Sequence, residues 1–342
     1  MSANVNTCAT LAKVQLIMDS QWADSAKQKD YIANVEVARA VRENQTVRIE
    51  ELSNPMKDKT VTLYWPEFCG ATTSACSDEC TPGGTKPGTV CEDYTLGMCR
   101  EVNFSVDHKA YRSIATTFEE AVAVSLLANM QALDEWIAQQ FVSEMHAGKG
   151  VNAYTGGKGT VNGFETSISP AYWNASLMGY FALVAKKNKF NAPYIVSGTN
   201  MYEAYWNAQM NAGNAEGKGA KTMFDQFKFY FDIFNVDSVM SPDSVTFMLN
   251  RNALAFHSKA YYNWSATDGR AEQFGGAGSS AGMKYQIESK NLPGVFYDVT
   301  YKIACSGNEI THNWQLKFTG DIFRNPVGCS PNNTNILEFV CE

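Results

Sequence analysis

The chain has no apolar run of about 18 residues, so no membrane-spanning helix is expected. Its first residues, Met1–Asn6, lack the basic and apolar segments of a secretion signal, and folding in a reducing cytoplasm is the expectation. Positive charge is not in excess. Lys and Arg number 28 against 35 Asp and Glu, a formal net charge of −7, which argues against a general phosphate-gripping nucleic-acid binder. Histidine is scarce, and His108, His146, His257 and His312 are scattered with no HExxH, so each is read as a surface or capping residue. His146 falls in the last turn of a long helix, where its positive form suits the dipole. No GxSxG, no Walker A loop and no GxGxxG at a strand–helix junction occurs. The Gly-rich stretch 155–163 (TGGKGTVNG) lacks a flanking strand and GK[ST]. The acid pairs Glu50–Glu51 and Glu119–Glu120 are adjacent, and adjacent residues do not share a face, so they read as solvated charges. These absences leave no catalytic residue, no cofactor and no enzyme to name.

What is present is a large apolar and aromatic content, 45% and 12%, enough for a sizeable core and for broad protein–protein contacts. There are also nine cysteines, Cys8, Cys69, Cys76, Cys80, Cys91, Cys99, Cys305, Cys329 and Cys341, five of them between Cys69 and Cys99. Only Cys76–Cys80 has the close spacing of zinc ligands, which would make Cys76, Cys80, Cys91 and Cys99 a four-thiolate set. Disulfide staples or an interchain bridge, and free thiols, stay open beside it. A bridge in an irregular segment would add about 2–4 kcal/mol. Cys329 and Cys341 bracket the last turn and strand and would pair with each other or with Cys305.

Along the chain, 7–20 reads as a helix with Leu11, Val14 and Met18 at helical spacing, and 30–43 as a second. Both are too polar to form a core of their own and read as an arm that packs on something else. TVRIEEL (46–52) and TVTLYW (60–65) are strands, 66–100 is an irregular excursion, and EVNFSVD (101–107) returns with strict alternation. The whole of 46–107 reads as a two-stranded protrusion with a cysteine-rich tip. The strongest signal is 113–147, free of Pro and Gly, with Ser113 or Thr116 to cap it and Gly148 to end it. A helix of that length spans about 50 Å and serves as a spine. Residues 149–169 read as a Gly-rich loop, 169–188 as a helix, 191–198 as a strand and 200–213 as a helix. Phe227, Phe229 and Phe231 at period two make 224–239 a strand inside a sheet. Residues 245–264 begin as a strand and continue as a helix or turn, and 283–342 return to strands. The cluster Lys186, Lys187 and Lys189 reads as dipole complement, as an inward contact to DNA, or as a salt link to a neighbour's acidic surface.

This order, a polar helical arm, a β protrusion, one very long helix, a compact α/β middle (NAPYIVSGTNMYEAYWNAQMNA and 224–264) and a β return, resembles the HK97-like major capsid proteins of tailed bacteriophages. The resemblance covers nearly the whole chain and rests on architecture, since that family has no catalytic signature. It implies an α+β fold with an N-terminal arm at 1–45 and an extended β-hairpin, the E-loop, at 46–107. A P-domain part would follow at 108–190 with the spine helix 113–147, then an A-domain at 191–264 and closing strands of the A- and P-domains at 265–342. It further implies a structural protein that self-assembles into hexamers and pentamers of an icosahedral shell around double-stranded DNA, held without sequence specificity. Scaffolding, portal and decoration proteins would be partners, with no membrane, and the product would be a virion capsid assembled in the host cytoplasm. Two other readings stand beside it: an encapsulin-like nanocompartment shell of the same fold, and a secreted disulfide-stapled binding protein or hydrolase. The cysteine cluster is not a general feature of the family.

Overall fold

The computed structural model describes residues 7–51, 59–66, 89–107, 117–174, 176–213, 227–240, 245–262, 272–274, 282–306, 309–327 and 334–341. The fold is mixed α+β. Helix α1 (Thr7–Ala23) buries Leu11, Val14 and Met18, the stripe expected from the sequence. A single turn, α2 (Ser25–Gln28), and a 3-10 turn (Lys29–Tyr31) follow. The second arm helix is shorter than its pattern suggests: α3 runs Glu36–Asn44, and 32–35 is not helical. Tertiary bonds compete for those backbone groups. Ala33 N–H donates to Asn291 Oδ1 at 3.0 Å, and Val37 N–H to Asp232 Oδ2 at 3.1 Å, a carboxylate from far along the chain doing what a local cap does elsewhere. Val37, Ala38, Ala40 and Val41 are all fully buried. The surface on which the arm packs is therefore this chain's own core.

The spine is α4 (Phe118–Ala147), 30 residues or about 45 Å. Its cap is Thr117, not Ser113 or Thr116, which lie outside the described residues. Thr117 Oγ1 accepts from Glu120 N, and Glu120 Oε2 accepts from Thr117 N at 2.8 Å, a reciprocal capping box. Glu120 is thus a cap residue and not a free solvated charge. Val122, Leu126, Met130, Leu133, Ile137, Phe141 and Met145 form the buried stripe, and Gly148 ends the helix as expected.

The strands form three sheets. The first is small and antiparallel, in the order β1 (Arg48–Glu51), β2 (Thr60–Pro66), β3 (Thr89–Thr95). It has three strands where two were expected, because Thr89–Thr95 lies within the supposed irregular excursion. Nor does the return strand belong to it. β4 (Met98–Asp107) pairs with β14 (Glu309–Arg324) in the second sheet, so the expected 46–107 unit divides at Leu96–Gly97. That second sheet runs β10 (Leu254–Ser258), β14, β13 (Phe296–Ser306), β12 (Gly282–Glu288), β11 (Glu272–Phe274). β4 and β10 pair with successive stretches of β14, meeting at Gly320, where Met98 and Ser258 are both in register. A Cβ on Gly320 would lie 2.8 Å from the His257 carbonyl, which explains a glycine at that junction.

The third sheet runs β5 (Gly159–Asn162), β6 (Glu165–Ile168), β15 (Ile336–Cys341), β9 (Val245–Leu249), β7 (Tyr194–Ser197), β8 (Lys228–Phe231). β9 alternates cleanly. Val245, Phe247 and Leu249 face the main core with α4, and Met248 faces a second core under α5 (Leu177–Lys187) and α6 (Thr199–Gly213). Four expectations change here. Residues 159–168 form a hairpin, not loop. The helix of 169–188 begins at Leu177, after a 3-10 turn at Pro170–Tyr172. The strand of 224–239 covers only Lys228–Phe231, half-buried at a sheet edge, and Ile233–Met240 is a helix, α7. Within 245–264 the second element is a strand, reached through a turn with Asn252 at φ +58°.

Two substitutions separate cap from core. Thr117→Ala should lower unfolding free energy by about 1 kcal/mol. Phe141→Ala, at a fully buried site, should lower it by about 3–5 kcal/mol. Urea denaturation of both variants checks the order, and equal losses would contradict it.

Candidate functional site

Among the described residues no group of three or more His, Cys, Asp or Glu is placed to hold a metal ion. Cys91 and Cys99 are exposed free thiols in different sheets, Cys91 opposite Tyr64 and Cys99 opposite Thr319. Cys341 is half-buried at the end of β15 and Cys305 lies in β13. Cys69, Cys76, Cys80 and Cys329 lie outside the described residues, and with the first three lies the expected cysteine-rich tip.

Three histidines are described, and all are engaged. His312 is buried, not at the surface: its Nδ1 is 2.6 Å from the Tyr301 hydroxyl and its ring packs on Phe118. His257 Nε2 lies 3.1 Å from Glu51 Oε1, and burial pulls its pKa down against the pull of that carboxylate. Lys259, with its side chain 3% exposed, pairs with the other Glu51 oxygen at 3.4 Å, so Glu51 is not a merely solvated charge. His146 Nδ1 sits 2.7 Å from Glu338 Oε2. His108 is outside the described residues. Lys186 and Lys187 lie exposed at the end of α5, with exposed Lys189 just beyond at φ +57°.

The polar chemistry lies inside, at points where distant segments meet. Asp134, halfway along α4, is fully buried and accepts from Ser289 Oγ at 2.8 and 2.9 Å, from Asn291 Nδ2 at 3.0 Å and from the Tyr297 hydroxyl. Burial pushes its pKa up to about 6 while the three donors oppose the rise. Glu338 on β15 is buried between His146 and Lys149, whose ammonium also reaches Glu165 on β6. Burial alone would lower the Lys149 pKa, but the two glutamates outweigh it and hold it up. Asp232 accepts a first-turn amide from each of α3 and α7, Val37 N and Asn235 N at 3.1 and 3.2 Å. Asp298 accepts Tyr261 N and Tyr262 N at 2.8 and 2.9 Å. Each is an acid that locks two segments together. Sequence reasoning passed over them. The available signal was a lone acid on an apolar stripe: Asp134 follows Met130 at i+4 and precedes Phe141 by seven residues, and Glu338 interrupts Ile336–Cys341.

Three surfaces remain open. The first sheet buries Val61, Leu63 and Trp65 against Leu96, Ala255 and Phe323, so its inner face is satisfied within the chain. Its outer face is polar, with Tyr64 donating to Glu50 at 2.9 Å and Thr62 to Asp93 at 2.6 Å. Both β1 and β3 are edge strands among the described residues. Beneath β1 lies a cleft of about 580 Å³, lined by Arg42, Ile49, Glu51, His257, Lys259 and Phe296 among others. The third sheet ends in β5 and β8, each unpaired on its outer side among the described residues. No helix among the described residues is long and apolar enough to cross a membrane.

No family model matches the chain, and no curated protein matches it. Solved structures do. A structure titled "Cyanophage A-1(L) capsid asymmetric unit" is similar at TM-score 0.49 and 9% identity, over 86% of this chain and 96% of that one. "Capsid of Ralstonia phage GP4" gives 0.43 and 10%, over 85% and 86%. "Mycobacterium phage Che8" gives 0.42 and 12%, over 83% and 85%. Similarity at this level assigns the chain to no family.

Two measurements test the site. Asp134 titrates near 3.8 unfolded and at about 6 folded. Its stabilising contribution is full below about pH 4 and is lost as pH rises through about 6, a swing of about 3 kcal/mol. The stability advantage of the parent over Asp134→Asn should therefore shrink by that amount across the window, and a constant difference would contradict it. Separately, maleimide should label Cys91 and Cys99 in the native reduced protein, read by peptide mass mapping, and protection of either would contradict the exposure seen here.

Proposed function

We propose that this chain is the shell-forming subunit of a tailed-phage head, a major capsid protein of the HK97-like kind with no turnover chemistry. One observation carries the reading. A 30-residue helix runs through a body whose first and third sheets both end in unpaired edges among the described residues. Such edges are a liability in a monomer and an asset in a closed assembly, where a neighbour completes them. Buried acids that serve as internal clamps, holding the Ser289 hydroxyl and the Lys149 ammonium in place, suit a wall better than a catalyst.

On this reading subunits join as hexamers and pentamers of an icosahedral shell around double-stranded DNA, inside the host cytoplasm, and scaffolding, portal and decoration proteins are partners. The formal charge of −7 fits a wall that does not grip the packaged polyanion. The arm, protrusion, spine, A- and P-domain partition is part of the same proposal, with the protrusion ending at Leu96 and β4 given to the P-domain sheet. The cysteines of 69–99 would bridge only after release from the reducing cell.

Negative-stain microscopy of the purified chain should show uniform shells or six-fold rings. A compact monomer at every ionic strength and concentration would overturn the reading.

A further inference from the structure

The cleft beneath β1 gathers positive charge on an acidic chain. Among its lining residues the cations Arg42 and Lys259 face one carboxylate, Glu51, while the whole chain carries −7. Separate parts of the fold supply them: Arg42 comes from α3, Glu51 from the end of β1, His257 from β10 and Lys259 from just after it. The cationic side is held in place. Lys259 N donates to Thr319 O at 3.0 Å, and the Gln45 side chain bonds Phe256 N and O at 2.8 and 3.3 Å, pinning the outer edge of β10. Arg42 donates to Pro293 O and passes close to Gly294, whose φ of +82° suits glycine and where a Cβ would lie 3.1 Å from the guanidinium.

Glu51 meets this side loosely. Its oxygens lie 3.1 Å from His257 Nε2 and 3.4 Å from Lys259 Nζ, longer than the about 2.7–2.9 Å of a well-made ion-pair bond. The Glu51 side chain is 43% exposed and ends its strand, whereas His257 and Lys259 are 17% and 3% exposed. The buried cationic groups are therefore the fixed partners and the carboxylate is the movable one. Burial lowers the Arg42 pKa further than Glu288 raises it, so that acid does not compensate the desolvated guanidinium. What His257 and Lys259 receive from Glu51 is two oxygens of one oxyanion. A phosphate offers the same two, with a further oxygen and a second negative charge for Arg42. The cleft, about 580 Å³, falls in the range of small-molecule sites, about 300–1,000 Å³, and Ile49 and Phe296 give it an apolar wall.

We propose that this cleft is a small-molecule phosphate site, the phosphate taking His257 and Lys259 over from Glu51 and drawing on Arg42. Free phosphate and a phosphate ester share this chemistry, and the ester's organic part would lie against Ile49 and Phe296. The site belongs to one subunit, assembled or not. Isothermal titration calorimetry on the full chain at constant ionic strength, with inorganic phosphate and adenosine monophosphate as probes, should give saturable binding at one site per chain. Tighter binding of the nucleotide supports the site and identifies an ester as its ligand; equal affinity supports it and identifies free phosphate. Glu51→Gln, at an exposed position, removes the competing charge and should bind either probe several-fold more tightly. Arg42→Gln, with folding checked by circular dichroism, should bind about tenfold more weakly. If Glu51 served only to tie β1 to β10, its replacement would not tighten binding, so unchanged or weaker binding by Glu51→Gln overturns the proposal even where Arg42→Gln fails to fold. Absence of saturation with both probes at millimolar concentration overturns it too. A short DNA single strand that binds more tightly than either probe would overturn the small-molecule assignment.

Discussion

The fold depends on burying the apolar stripe of α4. Val122, Leu126, Met130, Leu133, Ile137, Phe141 and Met145 share one core with Leu11, Val14 and Met18 of α1, with Val37 and Val41 of α3, and with residues of the second and third sheets. A helix about 45 Å long cannot be covered by one neighbour, so several elements from distant parts of the sequence divide its length among them. Area burial is non-directional and would tolerate sliding along such a rod. Something directional has to fix the register.

That role falls to buried acids. Asp134 ties the middle of α4 to the turn after β12 and to Tyr297 on β13, while Glu338 with His146 and Lys149 ties its C-terminal end to the last strand. Asp232 does the same between the arm and α7. Removing one partner of such a group leaves a desolvated charge, which costs more than the bond contributed. The clamps are therefore specific rather than cheap, and they hold the sheets in fixed positions on the spine. Rigid placement of those sheets fixes the direction in which their edge strands point.

The parts that were legible in sequence follow one local period over many residues. The stripe of α4 and the alternation Val102–Phe104–Val106 needed no tertiary information. Where a distant group competes locally, the reading failed. Asp232 delays α3 to Glu36, and it receives the first turn of α7, so the run Phe227–Phe231 stops after four strand residues and turns helical. The hairpin at 159–168 was hidden by its glycines. Gly159 is there because a Cβ would lie 2.3 Å from the Tyr180 hydroxyl, a contact no sequence pattern reports. The sheet-one boundary was missed because Thr89–Thr95 has exposed alternate residues and two acids, the signature of an edge strand that resembles a loop.

The position of β15 bears on the order of folding. It is the last strand of the chain, yet it lies in the interior of the third sheet, between β6 and β9. Until it arrives, β6 and β9 have no partner on that side, and the sheet is two separate halves. The strands it joins are far apart in sequence, β6 at Glu165–Ile168 and β9 at Val245–Leu249. Closing the sheet through β15 is a contact of long sequence separation, the slow kind. Without β15 each half would keep a further open edge, so the finished sheet depends on this one strand.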